Sequence, residues 1–258
     1  MEFLKDLELG IGRHYLWVYL GWRDIYRRYL RSFLGPFWLL INSLILVAVM
    51  GPLYSFLFKV PMVSYLVYMI TGMLSWQFIS QTFTEMPNVY ITNAGYITDV
   101  NLPFSVYHFQ MLWRNLIIYF NSLIIIIPAT ALFGHYEWHS ILMLPIGLFL
   151  ILINAFFISF LIAAFGTRFR DITPITASVL QITFFVTPIF WKKDMVSKYI
   201  DLINLNPFYH MLEVIRAPFL GYVAEPISFI FLCTTAVIGF FLNLWAYSYL
   251  KNRVAYWL

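Results

Sequence analysis

The sequence predicts an all-α integral membrane protein with six transmembrane helices, and two observations carry this prediction. Only 11% of the 258 residues are charged and 62% are hydrophobic, whereas a soluble globular protein has about 25% charged residues. In addition, six stretches without Asp, Glu, Lys or Arg reach the roughly 20 residues that a helix needs to cross the ~30 Å hydrocarbon core. Lipid must therefore cover much of the surface.

Each predicted span is placed on one of these uncharged stretches. The spans cover about residues 34–58, 63–84, 112–134, 140–167, 172–191 and 226–250. Runs such as Ile124 to Ile127 lack the alternation of apolar and polar residues that transmembrane β-strands show. Residues 32–258 are thus interpreted as one six-helix transmembrane domain.

The basic residues predict the orientation of the chain. An even number of spans places both termini on the same side, and eleven of the 16 Lys and Arg residues lie on that side. The positive-inside rule assigns it to the cytoplasm. Charges such as Lys5 and Arg13 interrupt any signal-peptide core, so the internal spans are expected to direct insertion.

Residues 1–31 are predicted to form a cytoplasmic amphipathic helix at the membrane interface. At 3.6 residues per turn, one stripe is aromatic and the opposite stripe is mostly basic. The aromatic stripe is Tyr15, Tyr19, Trp22, Tyr26, Tyr29 and Phe33, and the opposite one is Arg13, Asp24, Arg27, Arg28 and Arg31. Such a helix suits the headgroup layer, with the arginines toward anionic lipids. A cytosolic helix packed on a partner is the alternative.

Two loop segments are long enough to hold structure of their own. The external segment 192–225 contains many apolar residues together with Pro207, Pro218 and Gly221, so we interpret it as two short helices that dip back toward the membrane. On the cytoplasmic side, Asn93 to Tyr96 and the sequence before Pro103 carry turn and helix-start signals.

The motifs that are missing restrict the chemistry. The sequence has no Gly-x-x-x-x-Gly-Lys-Ser/Thr loop for nucleotide phosphates, so we expect no ATP hydrolysis and no bound cofactor. His135 and His139 flank Glu137 and resemble a metal cluster, but polar and aromatic residues are common at membrane interfaces, and no metal site is expected. The uncharged stretches contain no Asp, Glu, Lys or Arg, and Glu85, Arg114 and Glu137 lie at their ends, which argues against an ion-coupled carrier.

Uncharged polar and aromatic residues form rows that could line a pore for a sugar polymer. Gln77, Gln81 and Glu85 recur every four residues in the second span, and Gln181 and Phe185 do so in the fifth. Amides would bond hydroxyl groups and rings would stack on sugar faces. The candidate channel residues are Phe37, Trp38, Tyr54, Tyr68, Trp76, Gln77, Gln81, Gln181, Phe184 and Phe185. Hydrogen bonding between helices uses the same residue types and is equally compatible with each of them.

With these features in view, the chain resembles the membrane subunits of type-2 ABC exporters, in particular those that move O-antigen, capsular polysaccharide or teichoic acid. Several short motifs spread over the chain carry the resemblance. They are Tyr29 to Trp38, Thr71 to Phe78, Asn93 to Ile97 with Leu102-Pro103, Arg168 to Asp171, Thr187 to Phe190 and Asn206 to Phe208. One departure is Phe190-Trp191, where many relatives have Tyr after Thr-Pro-Ile.

The resemblance implies a homodimer in the bacterial inner membrane, bound to two copies of a separate ABC ATPase that holds ATP and Mg²⁺. It implies a lipid-linked polysaccharide as substrate and membrane lipids as further partners. No nucleic acid partner is expected. It also implies ATPase-coupling contacts at Asn93, Gly95, Tyr96, Pro103, Arg168, Arg170 and Asp171, and gate helices in segment 192–225. An exporter of a drug or small lipid, and a scaffold or sugar-lipid enzyme that needs no ATPase, are the alternatives.

Overall fold

A computed structural model describes residues 2–35, 37–100, 102–134, 137–193 and 200–258. Within these ranges the regular structure is helical, without strands. The helices are α1 (Glu2–Gly12), α2 (His14–Tyr29), α3 (Phe37–Phe58), α4 (Met62–Glu85), α5 (Val89–Thr92), α6 (Ala94–Asp99), α7 (Phe104–Phe133), α8 (Trp138–Ile141), α9 (Leu144–Arg168), α10 (Ile172–Val186), α11 (Ile200–Asn204), α12 (Pro207–Arg216) and α13 (Pro226–Trp257). His135, Tyr136 and residues 194–199 of the predicted gate segment lie outside the described residues.

Five helical stretches in the described ranges are long and apolar enough to cross a membrane. They are Phe37–Phe58, Met62–Thr92, Phe104–Phe133, Trp138–Arg168 and Pro226–Val254. These agree with five of the six predicted spans and support a multi-pass membrane protein. The third begins eight residues earlier than predicted, at Phe104 rather than residue 112, so Arg114 lies within a helix and not at its end.

The fifth predicted span, 172–191, is shorter in the structure than a membrane-crossing helix. α10 has 15 residues, or roughly 22 Å at 1.5 Å per residue. The helix ends because Pro188 has no N–H and disfavours helical backbone at the residue before it. Thr187 is accordingly extended, with ψ 136°. Pro188 lies inside the uncharged stretch 172–191, which the charge pattern alone predicts to be one continuous helix.

The transmembrane helices are joined by side-chain amides at close contacts. α9 and α13 run side by side, and Asn154 and Asn243 donate to the carbonyls of Leu232 and Phe157, both at 2.9 Å. Between these contacts a Cβ on Gly239 would lie 2.9 Å from Phe157 Cβ. Small residues and amides are typical of helix contacts in lipid, and here they hold two long apolar helices in register.

The amino-terminal segment is two helices, not the single helix predicted for residues 1–31. α1 packs inside the bundle, with Phe3 buried against Phe160 and Tyr247. The carboxylate of Asp6 accepts hydrogen bonds from the backbone N–H groups of Phe104 and Ser105, both at 2.8 Å. Asp6 therefore caps the start of α7 from another helix, because the first N–H groups of a helix have no partner within it.

Candidate functional site

Aromatic candidates from three helices meet in one cluster. The ring of Trp76 on α4 lies 5.8 Å from Phe184 on α10, and Tyr54 on α3 lies 5.8 Å from Phe190. Phe184 and Phe190 are 5.0 Å apart, edge to face. The fold therefore brings together residues that the sequence only suggested as separate rows.

The amides of the second span are bonded inside the protomer. Gln77 accepts from Ser43 Oγ at 3.0 Å and donates to the carbonyl of Leu39 at 3.3 Å. Gln81 donates to Glu85 at 3.4 Å. Tyr68 is buried, and its hydroxyl bonds to backbone carbonyls beyond α10. These contacts are of the kind that the helix–helix alternative requires.

The remaining channel candidates are on the protomer surface. Phe37, Trp38, Gln181 and Phe185 are exposed, and 65% of Phe185 is accessible. Leu180 is the buried residue of α10, so most of this helix has an uncovered face. That face carries apolar side chains as well as the Gln181 amide. It is available to a second copy, lipid or substrate.

A network of charges links α2, α4 and α7 at the end of the bundle where α4 ends, which we call the Glu85 end. Glu85 is paired with Arg28 and with Arg114, each at 2.6 Å, and Arg114 also contacts Asp24 at 2.7 Å. These residues line a polar cavity of about 480 Å³. Glu85 and Arg114 are largely buried, and buried charges need partners, so α2 turns Asp24 and Arg28 toward the protein.

This arrangement corrects the expected orientation of the interface helix in one respect. Arg28 does not point to lipid headgroups but binds Glu85. The aromatic stripe does face outward, since Tyr15, Tyr19, Trp22 and Tyr26 are 61–66% exposed. The last predicted member, Phe33, lies beyond the end of α2 and is fully exposed.

The predicted ATPase-coupling residues lie in two neighbouring segments. Asn93 is buried, and its amide donates to Val89 O at 2.8 Å, which joins α5 to α6. Gly95 is exposed, and a Cβ there would meet open space. Tyr96 accepts a hydrogen bond from Arg23 of α2, and Pro103 immediately precedes α7.

The second coupling segment is the turn between α9 and α10. Arg168, Arg170 and Asp171 are exposed, and the Arg168 guanidinium stands 5.2 Å from the Trp257 ring. Two residues beyond Asp171, the hydroxyl of Thr173 donates to Asn88 at 3.2 Å. Both predicted segments therefore lie at the Glu85 end.

The structure adds a buried ion pair that sequence reasoning counted as ordinary loop charge. Arg216 and Glu213 on α12 are 2.5 Å apart and almost fully buried. Tyr222 donates to the other oxygen of Glu213 at 2.9 Å, and burial raises the pKa of Tyr222, so its hydroxyl stays protonated. An acid and a base three residues apart within an apolar stretch is the signal that could have indicated this pair.

The comparison with protein families agrees with this architecture. Residues 15–220 match the family described as ABC-2 type transporter. The chain belongs to the ABC-2 type transporter family. In ABC-2 transporters the membrane chain is a transport subunit, and ATP hydrolysis takes place on a separate ABC subunit. All of α1 and all of α13 lie outside the matched residues.

Curated relatives of this ABC-2 chain extend the likeness to almost its full length. Two proteins from Klebsiella pneumoniae named O-antigen export system permease protein RfbA are 24% and 26% identical over 239 and 237 residues, each alignment covering 90% of this chain and 91% of the relative. A protein of the same name from Myxococcus xanthus is 24% identical over 208 residues, or 79% of this chain and 80% of its own length.

Proposed function

We propose that this chain is the channel-forming permease of an ATP-driven exporter that moves a lipid-linked, O-antigen-like polysaccharide across the bacterial inner membrane. The observation that carries the proposal is the similarity to two O-antigen export permeases over 90% of the chain. A multi-pass chain without a nucleotide loop fits a passage that is powered by another subunit.

Two copies of the chain are proposed to enclose the passage. The uncovered face of α10, which includes Ile175, Val179, Ile182 and Phe185, supports this, because it also carries the exposed Gln181 amide, which lipid cannot hydrogen-bond. Gln181 and Phe185 would then lie at or beside the path, together with Phe37 and Trp38. Trp76, Tyr68 and Gln77 would support that lining from behind.

The proposed topology has six crossings with both termini in the cytoplasm. α10 would complete the fifth crossing with the non-helical segment 187–191. α12 would be a re-entrant gate helix from the external side. Its course supports this: Phe208 at its start lies 4.9 Å from Phe83 near the end of α4, and Arg216 at its end contacts Tyr68 near the beginning of α4.

The Glu85 end is proposed to be the ATPase-binding side. It presents exposed Gly95 on α6 and exposed Arg170 on the neighbouring turn, and the Arg23–Tyr96 bond ties α6 to α2. A displacement of α6 would therefore be transmitted to α2 and, through the Arg28–Glu85 ion pair, to the end of α4.

The experiment is complementation of a strain that lacks this permease, with surface polysaccharide measured on gels and ATPase activity measured in proteoliposomes. Gly95→Glu is expected to lower both the export and the coupled ATPase activity while membrane insertion is unchanged. Gly12→Glu is the matched control, since Gly12 also has open space around it but lies in α1. Equal effects of the two variants, or full activity of Gly95→Glu, would contradict the proposed contact. ATPase stimulation by small hydrophobic compounds instead of polysaccharide would favour a drug or lipid exporter.

A further inference from the structure

The backbone beyond α10 carries carbonyl groups that no helix can satisfy. The last backbone hydrogen bond of α10 runs from Thr187 N to Thr183 O. The carbonyls of Pro188, Phe190 and Trp191 follow this bond in the chain and lie outside the helix. Thr187 and Ile189 are fully buried. Unpaired carbonyls are costly in an apolar interior, so the partners of these three groups decide whether this conformation persists.

Those partners come from α4 and α12. Tyr65 donates to Phe190 O, and Tyr68 Oη lies 2.9 Å from both Pro188 O and Trp191 O. Arg216 Nη1 donates to Pro188 O at 2.6 Å and to Tyr68 Oη at 2.9 Å. Tyr68 can thus accept from Arg216 while it donates its own proton to a carbonyl.

Arg216 is therefore the point at which three elements meet. Its side chain is 3% exposed, and its guanidinium contacts Glu213 on α12, Tyr68 on α4 and Pro188 just beyond α10. A second link between α12 and α10, from Asn206 Nδ2 to Thr187 Oγ1 at 3.0 Å, is between neutral groups. Hydrogen bonds from a charged donor are roughly twice as strong.

We propose that Arg216 is a positioning residue for export: through Pro188 and Tyr68 it holds the end of α10 and α12 against α4, and opening of the passage requires this contact to break. The link to export rests on the proposed function. The contact itself joins three elements of one protomer and does not depend on that function. With α12 in this position, its residues Tyr209 to Arg216 are buried within the protomer.

The test measures access to a buried position beside Arg216. Val67 is buried and lines a cavity of about 420 Å³ together with Tyr68, Glu213 and Arg216. Val67→Cys is introduced with Cys233→Ser, and the labelling rate by a membrane-impermeant maleimide is measured in the purified permease with its ATPase subunit. Arg216→Lys keeps the charge but cannot reach Glu213, Tyr68 and Pro188 at once. Its labelling rate is expected to rise roughly tenfold, which corresponds to about 1.4 kcal/mol.

Tyr222→Phe is the matched control, because it removes a bond to Glu213 without touching Pro188. It is expected to label at the rate of the parent protein. Tyr68→Phe is the second variant. It leaves the Arg216–Glu213 pair in place but removes the hydroxyl that links Arg216 to the carbonyls beyond α10. Its labelling rate should also rise, and this result can be obtained even where Arg216→Lys does not fold. Parent-like labelling in the folded variants, or an equal rise in Tyr222→Phe, would show that Arg216 belongs to a purely structural ion pair. Faster labelling with normal polysaccharide export would overturn the link to export and leave the proposed function standing.

Discussion

Arg114 of α7 and Glu85 of α4 form an ion pair, with Arg114 Nη2 2.6 Å from Glu85 Oε2. Asn115 donates to the same oxygen at 2.9 Å, and Arg28 holds the other oxygen. One carboxylate on α4 therefore joins α2 and α7. This relationship explains how a charged residue can lie ten residues into a long helix of a membrane protein, since its charge is neutralised within the bundle.

Replacing Glu85 by Gln should destabilise the protein by about 2–3 kcal/mol. Breaking a fully buried pair costs about 3–5 kcal/mol, but the Arg28 side chain is 37% exposed, and Asp24 still neutralises Arg114. In detergent, the midpoint of thermal unfolding is expected to fall by roughly 5–10 °C. Glu225→Gln is the control, because its pair with Lys193 is more exposed. A comparable drop in the control would refute the special role of Glu85.

Replacing Asp6 by Ala should release α1 from α7. The change removes two hydrogen bonds to the first turn of a helix, and loss of such a cap costs about 0.5–2 kcal/mol. Trypsin cleavage after Lys5 and Arg13 is expected to become faster, as measured by intact mass spectrometry. Glu8→Ala on the exposed side of the same helix should be cleaved like the parent. Unchanged protection in Asp6→Ala would mean that Phe3 alone anchors the segment.

Trp76 and Phe185 should respond differently to replacement by Ala, although the sequence suggested one role for both. Trp76 is 6% exposed within the protomer, so Trp76→Ala is expected to cost about 3–5 kcal/mol and to lower the yield of folded protein. Phe185→Ala should leave thermal stability of the protomer within about 0.5 kcal/mol and reduce polysaccharide export. Normal export by a folded Phe185→Ala protein would remove α10 from the proposed lining.

Acidification should weaken the packing of α12 through His210. The Nε2 atom lies 2.7 Å from Asn204 O and Nδ1 lies 2.9 Å from Ser228 Oγ, so the neutral ring donates at Nε2 and accepts at Nδ1. Burial lowers the pKa of His210 below its ordinary value of 6.5. The unfolded chain then takes up the proton first, so the stability from this residue is complete above about pH 6.5 and is lost as the pH falls below it.

The measurement is the difference in unfolding midpoint between pH 7.5 and pH 5.5. His210→Gln is expected to show a smaller difference than the parent protein, because Gln has no proton to gain in this range. His14→Gln on the exposed part of α2 is the control and should behave like the parent. An identical pH dependence in His210→Gln would assign the effect to other groups.

Charge and length alone identified most of the architecture. Five spans, the two helices in the described part of segment 192–225 and the short helices near Asn93 are where the sequence predicted them. A charge in the sequence does not always mark the end of a helix. Arg114 lies inside α7 because Glu85 and Asp24, distant in sequence, supply its counter-charges.

The contacts of the candidate channel residues could not be predicted from charge and span length. Helical periodicity groups Gln77 with Gln81 and Gln181 with Phe185, but it does not say whether a row meets another helix or remains uncovered. Gln77 turned out to bond α3, while Gln181 and Phe185 stay exposed. The contacts of Asp6 with the start of α7 and of Arg216 with Pro188 could not be recognised, because these partners are backbone groups that lack a helical partner only where α7 starts and α10 stops.

The amino-acid sequence by itself determined that this is a multi-pass α-helical membrane protein that carries no nucleotide loop, because span length and charge content are local properties of the chain. Only the tertiary structure decided where α10 ends, which face of each helix is covered, and which charges are paired. Those outcomes depend on donors and acceptors that lie many residues apart, such as Arg216 and the carbonyl of Pro188, and they come within reach only when the helices pack.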